Sequence, residues 1–407
     1  MRILFVTWDG PQVSYLESLF LPIFSRLRQH GIHFDILQFR WAGEGQPDTI
    51  PALCEQAGCG YRRVAIRRGL GGPGAFATAL GGGREIRRAV RAFGSDILMP
   101  RSHMPAIAVA AAGGARLRPI LFDADGFAAD EKVEFASLSA SGMTYRILRY
   151  IEGRTVEAAS SVIVRSPAAA QILRERAGGR VAADRFHVVT NGRDEFVFQP
   201  FDEETRRAVR QELGIDPGAP LIAYAGSVGP QYRFEVMRDF ARAVAQSRPD
   251  ARLLILSGSP ELGAAFLGAA ELHPIVMNAS PGNVGRYLSA ADLGLAFRAD
   301  SFSMQGLAPL KLGEYLLCGV PILGNAAVGD TAAAISAGVF FDDRAGTAAA
   351  AQWLIEEVLP QRDAFRALAR STGIEGFSVR RSVTDYLAAI TPVRTAAQGK
   401  GLALRSS

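Results

Sequence analysis

The first forty residues leave few folds open to this chain. Ile3 to Val6 is an unbroken apolar run and Phe34 to Phe39 a mostly apolar one, and strands of a parallel sheet, buried on both faces, read this way. Between them Ser14 to Gln29 has the pattern of a helix, interrupted near Pro22, where the missing N–H breaks the hydrogen-bond ladder. Strand, helix and strand joined by short turns open a doubly wound α/β sheet. Ligands of such sheets sit outside the carboxyl ends of the strands, so Asp9 and Gly10 lie where a substrate would be met.

The pattern recurs. Asp96 to Met99, Pro119 to Phe122, Ser160 to Val164, Leu221 to Ala225, Arg252 to Ser257, Pro274 to Met277, Asp292 to Phe297 and Val320 to Leu323 all read as strands, with helices such as Asp202 to Leu213 between them. At 407 residues the chain exceeds one ordinary core, so two domains are expected. Gly69-Leu70-Gly71-Gly72-Pro73-Gly74 formally fits a dinucleotide fingerprint, but Pro73 disturbs the tight turn and the first βα unit lies elsewhere, so a flexible loop is expected.

Composition excludes several classes. No run approaches the roughly 20 apolar residues of a membrane span, and the opening apolar run is too short for a signal peptide. Cys54, Cys59 and Cys318 are too few and irregular for a disulfide framework or a zinc site, which points to the cytoplasm and to no metal. Basic residues outnumber acidic ones up to Arg193, and the balance reverses beyond it. Arg62, Arg63, Arg67 and Arg68, and the helically spaced Arg84, Arg87, Arg88 and Arg91, are either a solvated face or a ridge for an anionic membrane surface or lipid-linked substrate. Aromatic residues are not interleaved with these arginines, which argues against nucleic acid.

The chemistry concentrates at Pro309-Leu310-Lys311-Leu312-Gly313-Glu314-Tyr315-Leu316-Leu317-Cys318-Gly319. Pro309 suits a first helical position and Gly319 the position past a helix end. Lys311 and Glu314 then share one face near the N-terminus, where free N–H groups and the dipole attract an anion. A solvated ion pair is the plain alternative. Against it, only three of the 45 basic residues are lysines, Lys132, Lys311 and Lys400, and a compact ammonium suits a phosphate as a point charge. Asp123 and Asp125 follow a buried strand, with Gly126 allowing a sharp turn, and are expected to project at its carboxyl end or to cap a helix through an Asx turn. Arg101 and His103 end another strand, the histidine being either structural or a proton carrier.

At these residues the chain resembles the retaining GT-B glycosyltransferases, family 4-like or group 1, in the branch with a Pro-x-Lys-x-x-Glu-Tyr-Leu donor motif. The resemblance is specific at Pro309 to Pro321 and good at Asn191-Gly192 with Phe198 and Pro200, which ends the first domain of that family. It departs at Gly306, where the family's first glutamate stands, and at Asp125, which replaces an arginine of a Phe-Asp-x-Arg-Gly signature. The resemblance implies a GT-B fold, two Rossmann-like doubly wound domains facing a central cleft. An acceptor-binding domain would span 1–195 and a nucleotide-sugar domain 196–378, with a helix over 379–391 packing back on the first and a disordered tail from Pro392.

It also implies roles. Glu314 would hold the ribose; Lys311, Arg298 and Arg233, with the Gly226-Ser227-Val228-Gly229 turn and Leu310, would hold the diphosphate; Asn278 would lie near the base. Asp123, Asp125 and His103 would orient the acceptor, with Asp9, Gly10 and Arg101 beside it. The implied activity is metal-independent transfer of a sugar, with retention, from a nucleoside-diphosphate sugar to a glycan or lipid-linked acceptor in bacterial surface polysaccharide synthesis. No further cofactor is implied, and the place would be the cytoplasm or the inner membrane face. A sugar-nucleotide epimerase on the same fold, or a silent nucleotide-sugar or partner-binding chain, are the alternatives.

Overall fold

A computed structural model of the protein describes residues 1–10, 15–41, 49–66, 71–267, 274–326 and 331–403. The chain divides into two compact units: unit 1 is Met1–Thr190, Gln305–Leu307 and Ser382–Ser407, and unit 2 is Asn191–Met304 and Ala308–Arg381.

Unit 1 holds β1 (Arg2–Asp9), β2 (His33–Arg40), β3 (Gly60–Ala65), β4 (Ile97–Pro100), β5 (Leu121–Asp123), β6 (Ser161–Val164) and β7 (Phe186–Val188). They pair in the orders β3-β2-β1-β4 and β5-β6-β7, all parallel, and bridges Leu98 to Ile120 and Arg101 to Asp123 set β4 beside β5. Alternation along β1 sends Leu4 and Val6 into a cluster with Ile86 and Val90 of the helix Gly71–Phe93. Phe5 on the other face packs tilted against Phe20 and edge-on against Phe24. Each such buried side chain contributes about 1.5–3 kcal/mol.

Three local expectations are corrected here. The segment after β1 winds as a π-helix over Leu16–Phe20 and becomes α-helical only at Leu21–Leu27, with Pro22 in its first turn; Ser14 lies outside the described residues. Proline cannot donate to the preceding turn, so that turn widens. The glycine-rich stretch is not a loop from Gly71 onward, because the helix Gly71–Phe93 starts there; Gly69 and Leu70 lie outside the described residues. Pro73 falls in the first turn, where its missing N–H costs nothing. Farther along, a Cβ on Gly82 would meet the Phe39 ring at 2.6 Å, and one on Gly83 the backbone of Ala111 at 2.7 Å. Glycine lets this helix press on β2 and on the helix His103–Ala112. The arginines of the ridge lie on it, Arg88 paired with Glu85 at 2.6 Å and Arg87 donating to the Ala111 carbonyl.

The third correction concerns the end of the chain. The last helix runs Val379–Ala403, straight through Pro392, where a disordered tail was expected. Tyr386, Ala389, Ile390 and Val393 are buried on either side of the proline, and packing of that face outweighs one lost backbone bond.

Unit 2 holds β8 (Leu221–Ala225), β9 (Arg252–Leu256), β10 (Ile275–Met277), β11 (Leu293–Ala296), β12 (Ile322–Gly324) and β13 (Phe340–Asp342), parallel in the order β10-β9-β8-β11-β12-β13. This is a doubly wound sheet whose strand order reverses between β8 and β11, the place where such folds bind ligands. Asp202 caps the helix Glu203–Glu212 by accepting from the Thr205 N–H at 2.8 Å. The donor-motif helix is Leu310–Leu317, so Pro309 is the residue before its first turn rather than in it. Gly319 ends it at φ +73°, a left-handed conformation that favours glycine. Beyond β12 the chain is next helical at Ala332–Ser336.

Candidate functional site

In unit 2 the switch point between β8 and β11 collects the motif residues. Lys311 stands in the first turn of Leu310–Leu317, is buried, and its Nζ has no hydrogen-bond partner among the described residues. Its ammonium lies 3.8 Å from the centre of the Tyr224 ring and 4.9 Å from that of Tyr232. Burial, with help from Arg298 and against Glu314, holds its pKa well below the usual lysine value. Leu310 and Lys311 begin the helix without any side-chain cap, so their N–H groups are open to an anion.

Gly226 follows β8, but its N–H bonds to the Leu256 carbonyl at 2.9 Å, so it supplies no donor to a diphosphate. What it supplies is room: a Cβ there would come within 3.2 Å of Lys311 Nζ. The Ser227 carbonyl accepts from the Tyr224 hydroxyl at 2.5 Å, and Gly229 is buried with its carbonyl bonded to the Tyr232 N–H. Arg298 lies with its guanidinium 4.3 Å from the Tyr232 ring centre, and its backbone is clasped by Asn325, which accepts from its N–H and donates to its carbonyl. Arg233 is already paired with Asp343 at 2.6 Å, which takes it out of the diphosphate role. Asn278 is exposed just past β10. Glu314, partly buried, pairs with Arg193 Nε at 3.0 Å. Arg193 is fixed by backbone bonds to Phe377 and Val379, and the Asn191 amide donates to the Ala308 carbonyl at 2.8 Å, tying the Asn-Gly turn to the approach of the donor helix.

In unit 1 a cavity of about 190 Å³ opens at the carboxyl ends of β1 and β4, lined by Trp8, Arg101, His103, Asp125, Lys132 and Leu148 among others. Asp125 is paired with Arg101 at 2.6 Å and adopts φ +50°. Burial pushes its carboxyl up to about 6, with Arg101 opposing and Asp123 adding. Asp123 does not project into open space: it is fully buried and accepts from Arg165 at 2.7 Å on both oxygens. Its charge is spent on that pair, so it is a structural anion and not an acceptor-orienting group.

His103 is buried between Ser102 Oγ, 3.3 Å from Nδ1, and Glu152 Oε1, 3.6 Å from Nε2. Ser102 holds φ +64°, an uncommon conformation for a side-chain-bearing residue, and such strain gathers at functional positions. Asp9 accepts from Gln38 at 2.7 Å and is raised above its usual pKa by burial; Gly10 is half-buried beside it with open space at its Cβ position. Gly306, also in unit 1, has no space for the family's glutamate, because a Cβ would meet the Phe127 ring at 2.9 Å. Among the described residues no cluster of His, Cys, Asp or Glu is placed to hold a metal ion.

Arg165, Glu152, Tyr224 and Arg193 were not singled out by the sequence. Arg165 and Glu152 are buried charges in otherwise ordinary strand and helix patterns, and the parity of β8, which buries every residue, gives Tyr224 no distinguishing phase. Arg193 adjoins the Asn-Gly turn, which was the available signal.

Two doubly wound parallel units of this kind make a GT-B fold. Residues 20–192 match the family described as Glycosyl transferase 4-like domain. HepE of Anabaena, solved in complex with UDP and glucose, superposes with a TM-score of 0.69 at 16% identity over 96% of this chain and 99% of its own. The UDP-GlcNAc 2-epimerase of Neisseria meningitidis, bound to UDP-GlcNAc, superposes at 0.59 with 12% identity, over 96% and 100%. Likeness at such identities establishes the fold. The α-maltose-1-phosphate synthase of Mycolicibacterium smegmatis is 31% identical over 30% of this chain and 30% of its own length. D-inositol 3-phosphate glycosyltransferase of Segniliparus rotundus is 27% identical over 47% of this chain and 43% of its own. The chain thus spans from under a third to under half of these curated relatives.

Proposed function

We propose that the protein is a retaining glycosyltransferase whose unit 2 binds a nucleoside-diphosphate sugar and whose unit 1 binds a glycan or lipid-linked acceptor. The observation that carries this is Lys311, a buried amine without a hydrogen-bond partner among the described residues, at an uncapped helix N-terminus, with Arg298 beside it and space left by Gly226. Leaving-group diphosphate bears negative charge that must be met by fixed donors. Lys311, Arg298 and the first N–H groups of Leu310–Leu317 supply them without a metal. Glu314, steadied by Arg193, accepts from the ribose hydroxyls.

Attack on the anomeric carbon from the face that the diphosphate leaves retains configuration and asks for no protein nucleophile. On the acceptor side Asp125 and His103 border the cavity and are the groups that orient the attacking hydroxyl. The exposed Arg84, Arg88 and Arg91 support a role at an anionic inner-membrane surface in surface polysaccharide synthesis. No helix among the described residues is long and apolar enough to cross a membrane.

The test is thermal melting of the full chain with UDP, GDP, ADP, TDP and CMP sugars, followed by transfer of the labelled sugar to membrane lipid extracts. A ligand bound only by the folded state raises the melting point. A rise that is lost in Lys311→Ala and Glu314→Ala, with labelled lipid formed, supports transfer. The epimerase fold likeness gives a second reading, and an isomerised sugar nucleotide without acceptor product would select it.

A further inference from the structure

Lys311 occupies surroundings that weaken its hold on a proton. Among the described residues the ring and charged groups facing it are Tyr224 from β8, Tyr232 from the segment after it, Arg298 from the loop after β11, and Glu314 from its own helix. The one carboxylate among them is engaged by Arg193 at 3.0 Å, and Nζ has no hydrogen-bond acceptor among the described residues. Aromatic faces attract a cation, but they do not replace the water removed by burial, and Arg298 adds repulsion. Tyr232 is shared, with Lys311 at 4.9 Å and Arg298 at 4.3 Å from its ring centre, so it is the spacer between two basic side chains.

We propose that burial of Nζ between Tyr224 and Tyr232, with no acceptor among the described residues, weakens its hold on a proton, and that an entering nucleoside diphosphate brings one proton onto Nζ. The inference rests on the donor reading above. The proton comes from solvent to the amine lone pair, no covalent bond forms to the ligand, and release of the diphosphate returns the proton. Burial lowers the affinity of the empty site's amine for that proton, and the phosphate charges raise it, so binding and protonation are linked. Diphosphate affinity therefore falls as pH rises between the free and bound values, by about tenfold per pH unit at most. A neutral nucleoside brings no such charge and binds without uptake.

The experiment is calorimetric titration of the full chain with UDP, GDP, ADP and TDP at pH 8.5, each in two buffers of different ionisation enthalpy. The terminal phosphate, with a pKa of about 6, is then already ionised, so any uptake belongs to the protein. The expected result is uptake approaching about one proton per diphosphate bound, and none with the matching nucleoside. Tyr232→Phe keeps the ring and keeps the uptake, whereas Tyr232→Leu opens the sleeve to water and cuts it by about half or more while the ligand still binds. Binding by the native chain without uptake overturns the inference and leaves the donor site standing. Binding by none of the four removes the donor site, and the inference with it.

Discussion

Arg165 Nη2 donates to both carboxylate oxygens of Asp123 at 2.7 Å, and at 2% and 0% exposure neither side chain has water to fall back on. Removing one partner of such a pair strands a buried charge and costs about 3–5 kcal/mol. Asp123→Asn is expected to lower the urea midpoint of unfolding accordingly. Arg101, which also reaches Asp123 at 3.3 Å, loses that partner as well and keeps Asp125 at 2.6 Å.

Glu314 and Arg193 make a different sort of pair under the proposed function, in which one end serves a ligand. Hydrogen bonds from ribose hydroxyls to a carboxylate are worth about 1.5–3 kcal/mol, so Glu314→Gln should weaken nucleotide binding by about tenfold to a hundredfold. Arg193→Gln should weaken it less, since it disturbs only the orientation of Glu314. Calorimetric titration of both variants checks the order.

Asp125 gives a signed pH dependence. Its carboxyl rises from 3.8 to about 6 on folding, chiefly through burial. A folded state that holds a proton more tightly gains stability at low pH, and that gain is lost as pH rises through the folded value. Asp125→Asn cannot ionise, so its melting temperature should gain on the native protein's between about pH 4 and 6 and keep a constant offset above about pH 7. A melting series over that range reads the difference.

Gly81 and Gly83 in the helix Gly71–Phe93 should respond oppositely to the same change. A Cβ on Gly81 meets nothing within 4 Å, and one on Gly83 meets Ala111 backbone at 2.7 Å. Gly81→Ala should stabilise by about 0.5–1 kcal/mol, and Gly83→Ala should destabilise by about 1–3 kcal/mol through overpacking. Chemical denaturation of the two variants separates helix propensity from packing.

The strand set was largely readable because parallel strands are buried on both faces: Leu221 to Ala225 was placed to the residue, and β1, β2 and β9 within a few. β3 was missed because Gly-Tyr-Arg-Arg-Val-Ala at a sheet edge has no apolar run to announce it. The helix over Gly71–Gly74 was missed for a tertiary reason, since glycine propensity argues against it and only the neighbouring helix explains the glycines. At the candidate site the helix with Lys311 and Glu314 followed from local spacing. Their partners Tyr224, Arg298 and Arg193 come from distant segments, and no local pattern encodes those meetings. Asp123 and Asp125 were read as equivalent, and one arginine, Arg165, separates their fates.

Unit 1 is not contiguous in the chain. Its sheet is complete by β7, yet Tyr386 of the last helix joins the buried Arg165 by a hydrogen bond, and Asp385 accepts from Thr190 at 2.9 Å. Domains generally fold in the order in which the ribosome delivers them. Here the ribosome must finish the whole of unit 2 before it releases the piece that closes the unit it began with. A nonsense codon near Ser382 would therefore wound the amino-terminal half of the protein, leaving the buried Arg165 without Tyr386 although all of unit 2 had been made.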